Sequence, residues 1–151
     1  MRYRPIIIPG AGNRAMQFVL ADDLARAAIS AADTETANGR AYNVANPKPV
    51  SQRDLVDALA RACGRTPEKV HISRGLIERA GGKIFDPPYY FGQYFDMPPI
   101  TQDVSRAQEE LGFEATPFDD GLTGTFEAYL KESRPAPDFS WEDRLFRSLQ
   151  A

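Results

Sequence analysis

The chain is expected to fold as a mixed α/β (α+β) domain of short strands with about five helices and no complete Rossmann domain. Three observations lead there. Short strand-like runs such as Ile6 to Ile8 and residues 41–45 end at Pro9-Gly10 and Asn46-Pro47 turns. Between them lie segments with apolar residues at helical spacing, started by acids or a serine and stopped by glycine. With 151 residues the chain is long enough to bury one core.

Ile6 to Ile8 form a strand closed by Pro9-Gly10. Met16, Phe18 and Leu20 alternate with Gln17, Val19 and Ala21, which is strand periodicity. Asp22 and Asp23 then precede "LARAAISAA", placing Leu24, Ala27, Ala28 and Ala31 on one helical face and two acids at the positive end of the dipole. After Asn38-Gly39, "AYNVA" (41–45) reads as a short buried strand.

The next helix is the clearest. Ser51 is its N-cap with Asp54 at the third position, and Leu55, Leu59 and Ala62 with Val56 and Cys63 form the stripe that Gly64 ends. "VHIS" (70–73) is a strand, and 74–80 a helical stretch closed by Gly81-Gly82. Residues 84–100, "IFDPPYYFGQYFDMPPI", carry two Pro-Pro pairs among aromatic residues, which excludes regular helix and predicts an aromatic loop. A helix capped at Thr101 or Asp103 runs to Leu111, and another covers 117–130 with Leu122, Phe126 and Tyr129 along one side. The organisation is therefore a domain over 1–133, a Pro-rich linker at 134–139, and an amphipathic helix over 140–151 capped by Ser140.

Composition excludes several classes. The formal net charge of −3 disfavours a protein built to neutralise nucleic-acid phosphates. Cys63 is alone, so no internal disulfide forms, and its place in an apolar stripe suits a buried structural thiol. One histidine, His71, with no cysteine or carboxylate cluster beside it, gives no basis for a metal centre. No apolar run approaches a membrane span, and no signal peptide is read at the start, so a soluble cytoplasmic protein without membrane association is expected.

"IIIPGAGNRA" imitates a dinucleotide-binding G-x-G-x-x-G/A loop. A strand pattern, not a helix, follows Gly12, so the glycines are read as serving a strand–turn–strand, and no cofactor-binding residue is assigned to the chain.

The order "G-x-G … Q-F-V-x-x-D-D-L-A-R-A" (10–27), "G-x-A-Y-N-V" (39–44), "V-S-x-x-D-L" (50–55) and "D-x-S-R-A-x-x-E-L-G-F" (103–113) resembles the C-terminal half of extended short-chain dehydrogenases/reductases. These are the NAD-dependent epimerase/dehydratase family and its atypical relatives. The resemblance implies a substrate-binding lobe. The N-terminal Rossmann half, with its nucleotide-binding glycines and Tyr-x-x-x-Lys pair, has no counterpart here, because no tyrosine is followed four residues later by lysine. NAD is thus implied only for a missing half, and no catalytic residue is assigned.

Two departures bear on substrate. The phosphate-binding arginine of nucleotide-sugar members falls at Met16, with Arg14 two residues earlier, and Gln93 stands near their second arginine. Candidate substrate-binding residues are Arg14, Gln17, Tyr89, Tyr90, Gln93 and Tyr94. The aromatic loop could line a small-molecule pocket, or cover surface that a Rossmann half or second copy would bury. Trp141, Leu145, Phe146 and Leu149 are candidate interface residues, on a helix that either folds back or docks onto another copy.

The leading expectation is the substrate-binding portion of such an enzyme, inactive alone and joined by a separately encoded Rossmann half. The alternatives are a free-standing homo-oligomeric, most simply homodimeric, module without activity, and an RNA-contacting relative of the chloroplast stem-loop-binding proteins.

Overall fold

In the computed structural model, which describes residues 4–83 and 98–149, β1 (Ile6–Pro9) lies parallel to β4 (Lys69–Ile72). Ile6 faces Lys69 and Pro9 faces Ile72 across the pair. A parallel pair needs a crossover. Here it is supplied by β2 (Ala15–Met16), α1 (Ala21–Asp33), β3 (Val50–Ser51) and α2 (Gln52–Ala62). Six α-helices lie among the described residues, the others being α3 (Arg74–Arg79), α4 (Ser105–Leu111), α5 (Phe118–Lys131) and α6 (Ser140–Ser148), with a 3-10 turn at Glu35–Ala37. The mixed α/β class is as expected, with one helix more.

The turn after β1 settles the role of its glycines. Gly10 and Gly12 have φ of 62° and 66°, a region other residues adopt at a cost. A side chain at Gly12 would also lie 2.5 Å from Ile8 Cγ2. The Gly12 carbonyl accepts the Arg53 N–H at 3.1 Å, binding the turn to the start of α2. The chain leaves the turn as a strand, β2, antiparallel to β3 with Met16 opposite Val50. The strand–turn–strand reading holds.

One expected strand is shorter than its periodicity suggested, and another does not form. β2 stops at Met16 instead of running on through Leu20, and α1 begins at Ala21 with both acids inside its first turn. Residues 41–45 form no strand, because a ladder needs a neighbour and their backbone finds none among the described residues. Their side chains still alternate. Tyr42 and Val44 pack against the buried cluster of Ala27, Ala107 and Phe113, while Ala41 and Asn43 are exposed.

α2 has the expected capping box. Ser51 Oγ accepts the Asp54 N–H at 3.2 Å, and the Asp54 carboxylate accepts the Ser51 N–H at 2.8 Å. Hydrogen bonds from the Ser51 side chain, then its backbone, hold the Asp54 carboxyl below its usual range. Two other caps differ from expectation. α4 starts at Ser105, whose N–H bonds to Asp103 at 2.9 Å, so the Asp103 carboxylate does the work from two residues ahead. Ser140 is the first residue of α6 and not its cap, and the Asp138 carboxylate accepts its N–H at 2.8 Å. Cys63 is half-buried at the end of α2.

Of the acids in α1, Asp23 is more than a dipole partner. It is 2% exposed, and its two oxygens accept the Thr116 N–H at 2.8 Å and the Thr116 hydroxyl at 2.7 Å, with Arg26 paired to it as well. This ties α1 to the segment before α5. Arg61 of α2 reaches Asp119 of α5 with bonds of 2.7 and 2.9 Å, on the surface.

The second buried cluster joins Ile72, Ile77, Trp141 and Leu145. Residues 134–139 are exposed throughout, and beyond them α6 folds back on the domain. Trp141 Nε1 donates to the Ala80 carbonyl at 2.8 Å, which satisfies the indole as its ring is buried.

Candidate functional site

The polar side chains that converge do so where β2, residues 41–46 and the start of α4 meet. Gln17 Nε2 donates to the carbonyls of Asn46 at 3.1 Å and Gln102 at 3.2 Å, and Gln17 Oε1 accepts the Gln102 N–H. Gln17 is therefore fully engaged in positioning backbone. Asn46 Nδ2 donates to the Thr116 carbonyl at 3.1 Å, and Asn43 Nδ2 to the Asp103 carbonyl at 3.1 Å. The Asn46 N–H bonds to the Phe18 carbonyl at 2.7 Å.

Beside this lattice, Ala41, Asn43, Asp103 and Arg106 line a hollow of about 320 Å³. Bonds from Ser105, aided by the Arg106 charge, hold the Asp103 carboxyl below its ordinary value, so it is a carboxylate near neutral pH. Tyr42 donates to Glu110 at 2.7 Å while Arg40 pairs with the same carboxylate at 2.6 Å. Desolvation first, then the bond to Glu110, push the Tyr42 hydroxyl up from its usual value. That is the opposite of what an acid/base tyrosine needs. The arrangement suits binding through amides, a carboxylate and Arg106, and it offers no proton-transfer pair.

Of the residues singled out by sequence, Arg14 is exposed one residue before β2, and Gln17 just after it. Tyr89, Tyr90, Gln93 and Tyr94 lie outside the described residues. Exposed residues 98–101 lead to Gln102, which Gln17 grips. Trp141 and Leu145 belong to the core, Phe146 packs against it, and Leu149 is 41% exposed. His71 is at the surface with Nδ1 3.0 Å from the Gly10 carbonyl, a structural contact. Sequence reasoning missed Asn43, Asn46 and Arg106, since single polar residues carry no periodic signal.

A second hollow of about 230 Å³ is apolar and lies between α2 and α5, with Phe18, Leu55, Leu59, Phe118 and Leu122 around it. The Phe18 and Phe118 rings are 5.9 Å apart and tilted at 32°. Among the described residues no group of three or more His, Cys, Asp or Glu could hold a metal ion, and no helix is long and apolar enough to cross a membrane.

This architecture matches solved structures that include several UDP-sugar epimerases. The UDP-glucose 4-epimerase of Bifidobacterium longum, in complex with NAD+ and UDP, superposes with a TM-score of 0.62 at 17% identity, over 86% of this chain and 36% of that one. The UDP-glucose 4-epimerase of Thermotoga maritima, with UDP-glucose, gives 0.61 at 20% identity, over 84% and 35%. The UDP-glucuronic acid 4-epimerase of Bacillus cereus, in complex with NAD, gives 0.56 at 20%, over 85% and 36%. The fold is that of part of a UDP-sugar epimerase. The chain spans about a third of the length of each of these proteins. No family model matches the chain, and none of the curated proteins does.

Proposed function

We propose that this chain is the substrate-binding portion of an NAD-dependent epimerase/dehydratase-like protein, acting with a separate Rossmann half and not catalytic alone. The observation that carries the reading is the segment 41–45. It has the alternation of a strand, with Tyr42 and Val44 packed inward, yet its backbone pairs with no strand among the described residues. A segment of this kind, packed on one side and without a strand partner, can take up a strand from another chain. The neighbouring α1 leaves Leu24 48% and Ile29 63% exposed, apolar surface of the sort a partner layer covers. Covering about a third of proteins that carry NAD agrees with a division of labour in which the cofactor sits on the partner.

The substrate is a small molecule held by the amides and charges around Asn43, Asp103 and Arg106, with Arg14 as a further exposed cation one residue before β2. The test is to coexpress the chain with a Rossmann half from the same genome, one bearing a Gly-rich loop and Tyr-x-x-x-Lys. The expected result is a one-to-one complex that binds NAD in calorimetry, with slowed amide exchange across 41–45, while the isolated chain binds no NAD. NAD binding by the chain alone would overturn the reading.

The same segment also favours a second reading, a homodimer that pairs two copies of 41–45 and performs no chemistry. Light scattering separates them, since a stable dimer of the isolated chain supports self-pairing.

A further inference from the structure

A cavity of about 310 Å³ opens between β1, the first turn of α2 and α6, with Ile6, Ile7, Pro9, Gln52, Trp141 and Phe146 among its walls. Gln52 is 2% exposed, and its Oε1 is the one buried side-chain polar atom among the described residues without a hydrogen-bond partner. Folded proteins rarely leave a buried acceptor unmet, so such an atom beside a cavity points to something that supplies a donor.

The other polar groups of the wall narrow the chemistry. Trp141 Nε1 is bonded to the Ala80 carbonyl. Arg4 is paired with Asp143, and its guanidinium stacks 4.6 Å above the Phe139 ring. Glu142 also lines the cavity and repels anions. The cation of this wall is already engaged and does not favour a phosphate, while the aromatic and aliphatic walls suit a ring. A cavity of roughly 150 Å³ already admits benzene, so this one has room for a substituted ring.

We infer that this cavity binds a small uncharged aromatic molecule carrying one hydroxyl or N–H, whose donor is accepted by Gln52. The cavity's walls come from residues 4–9, Gln52 and residues 139–146, none of which belongs to the substrate site proposed above.

Trp141 is the sole tryptophan, so its fluorescence reports on this cavity directly. The full chain is titrated with benzyl alcohol and with benzyl methyl ether, which keeps the ring and lacks the donor. The expected result is a saturable change with both, the alcohol binding about tenfold tighter. Gln52→Leu removes that preference while still binding the ether, and its circular-dichroism melt shows it folded. In the unaltered chain, the Gln52 side-chain amide resonances shift with the alcohol and not with the ether, a readout that needs no variant. Unsaturable titrations, equal affinities for the two probes, or an unmoved Gln52 amide would each sink the assignment and leave the orphaned oxygen to a buried water.

Discussion

The carboxylate of Asp23, in the first turn of α1, takes both the backbone N–H and the hydroxyl of Thr116, which lies far along the chain just ahead of α5. Asp23 is 2% exposed, and removing its carboxylate leaves both part-buried donors of Thr116 without their acceptor. Asp23→Ala is expected to cost about 2 kcal/mol, and Asp23→Asn about half that, because one oxygen can still accept. Urea denaturation of the two variants checks both the sign and the order.

The two glycines of the first turn share a backbone conformation but not surroundings. Gly10→Ala meets nothing within 4 Å, so only the positive φ opposes it, at a cost of about 1 kcal/mol. Gly12→Ala drives a methyl into Ile8 as well, and about 3 kcal/mol is expected. Thermal melts of the pair should therefore differ, with equal losses counting against the close approach at Gly12.

The capping box makes a pH prediction whose sign is fixed. Asp54 is held below its ordinary value by Ser51, so its contribution is complete above the unfolded aspartate range and disappears as pH falls through the lower folded value. Ser51→Ala should cost about 1 kcal/mol at neutral pH. Denaturation midpoints of the variant and the unaltered chain should converge in acid.

Position along α6 decides which of its apolar residues matter. Leu145 is 1% exposed against Ile72 and Ile77, and Leu145→Ala should cost about 3 kcal/mol. Leu149 is 41% exposed, and its alanine variant should stay within about 0.5 kcal/mol in monomeric protein. A larger loss at Leu149 that depends on protein concentration would show that a second copy covers it.

What could be read from the sequence was whatever is encoded locally. The Ser51–Asp54 box, the stop at Gly64 and the apolar stripe of α6 each need only neighbours within a turn or two. Residues 41–45 show the limit of that reading, since alternation describes side chains while a strand is defined by another strand's backbone. Gln17 shows it again. Its type suggested a ligand contact, whereas its place between Asn46 and Gln102 gives it a scaffold role that depends on partners up to 85 positions away. Asp23 and Gln52 were invisible as special because burial of a polar side chain is a tertiary outcome.

The parallel pairing of β1 with β4 has a consequence for how the chain acquires its shape. Ile6 cannot meet Lys69 until the ribosome has delivered α1, β3 and α2, all of which lie between them. Closing so wide a loop is entropically uphill, and the pair forms only after local helices have shortened the distance. Until then Ile6, Ile7 and Ile8 remain an uncovered sticky edge on a nascent polypeptide. Between the synthesis of Ile8 and that of Ile72, these three isoleucines therefore lack the strand they pair with in the folded chain.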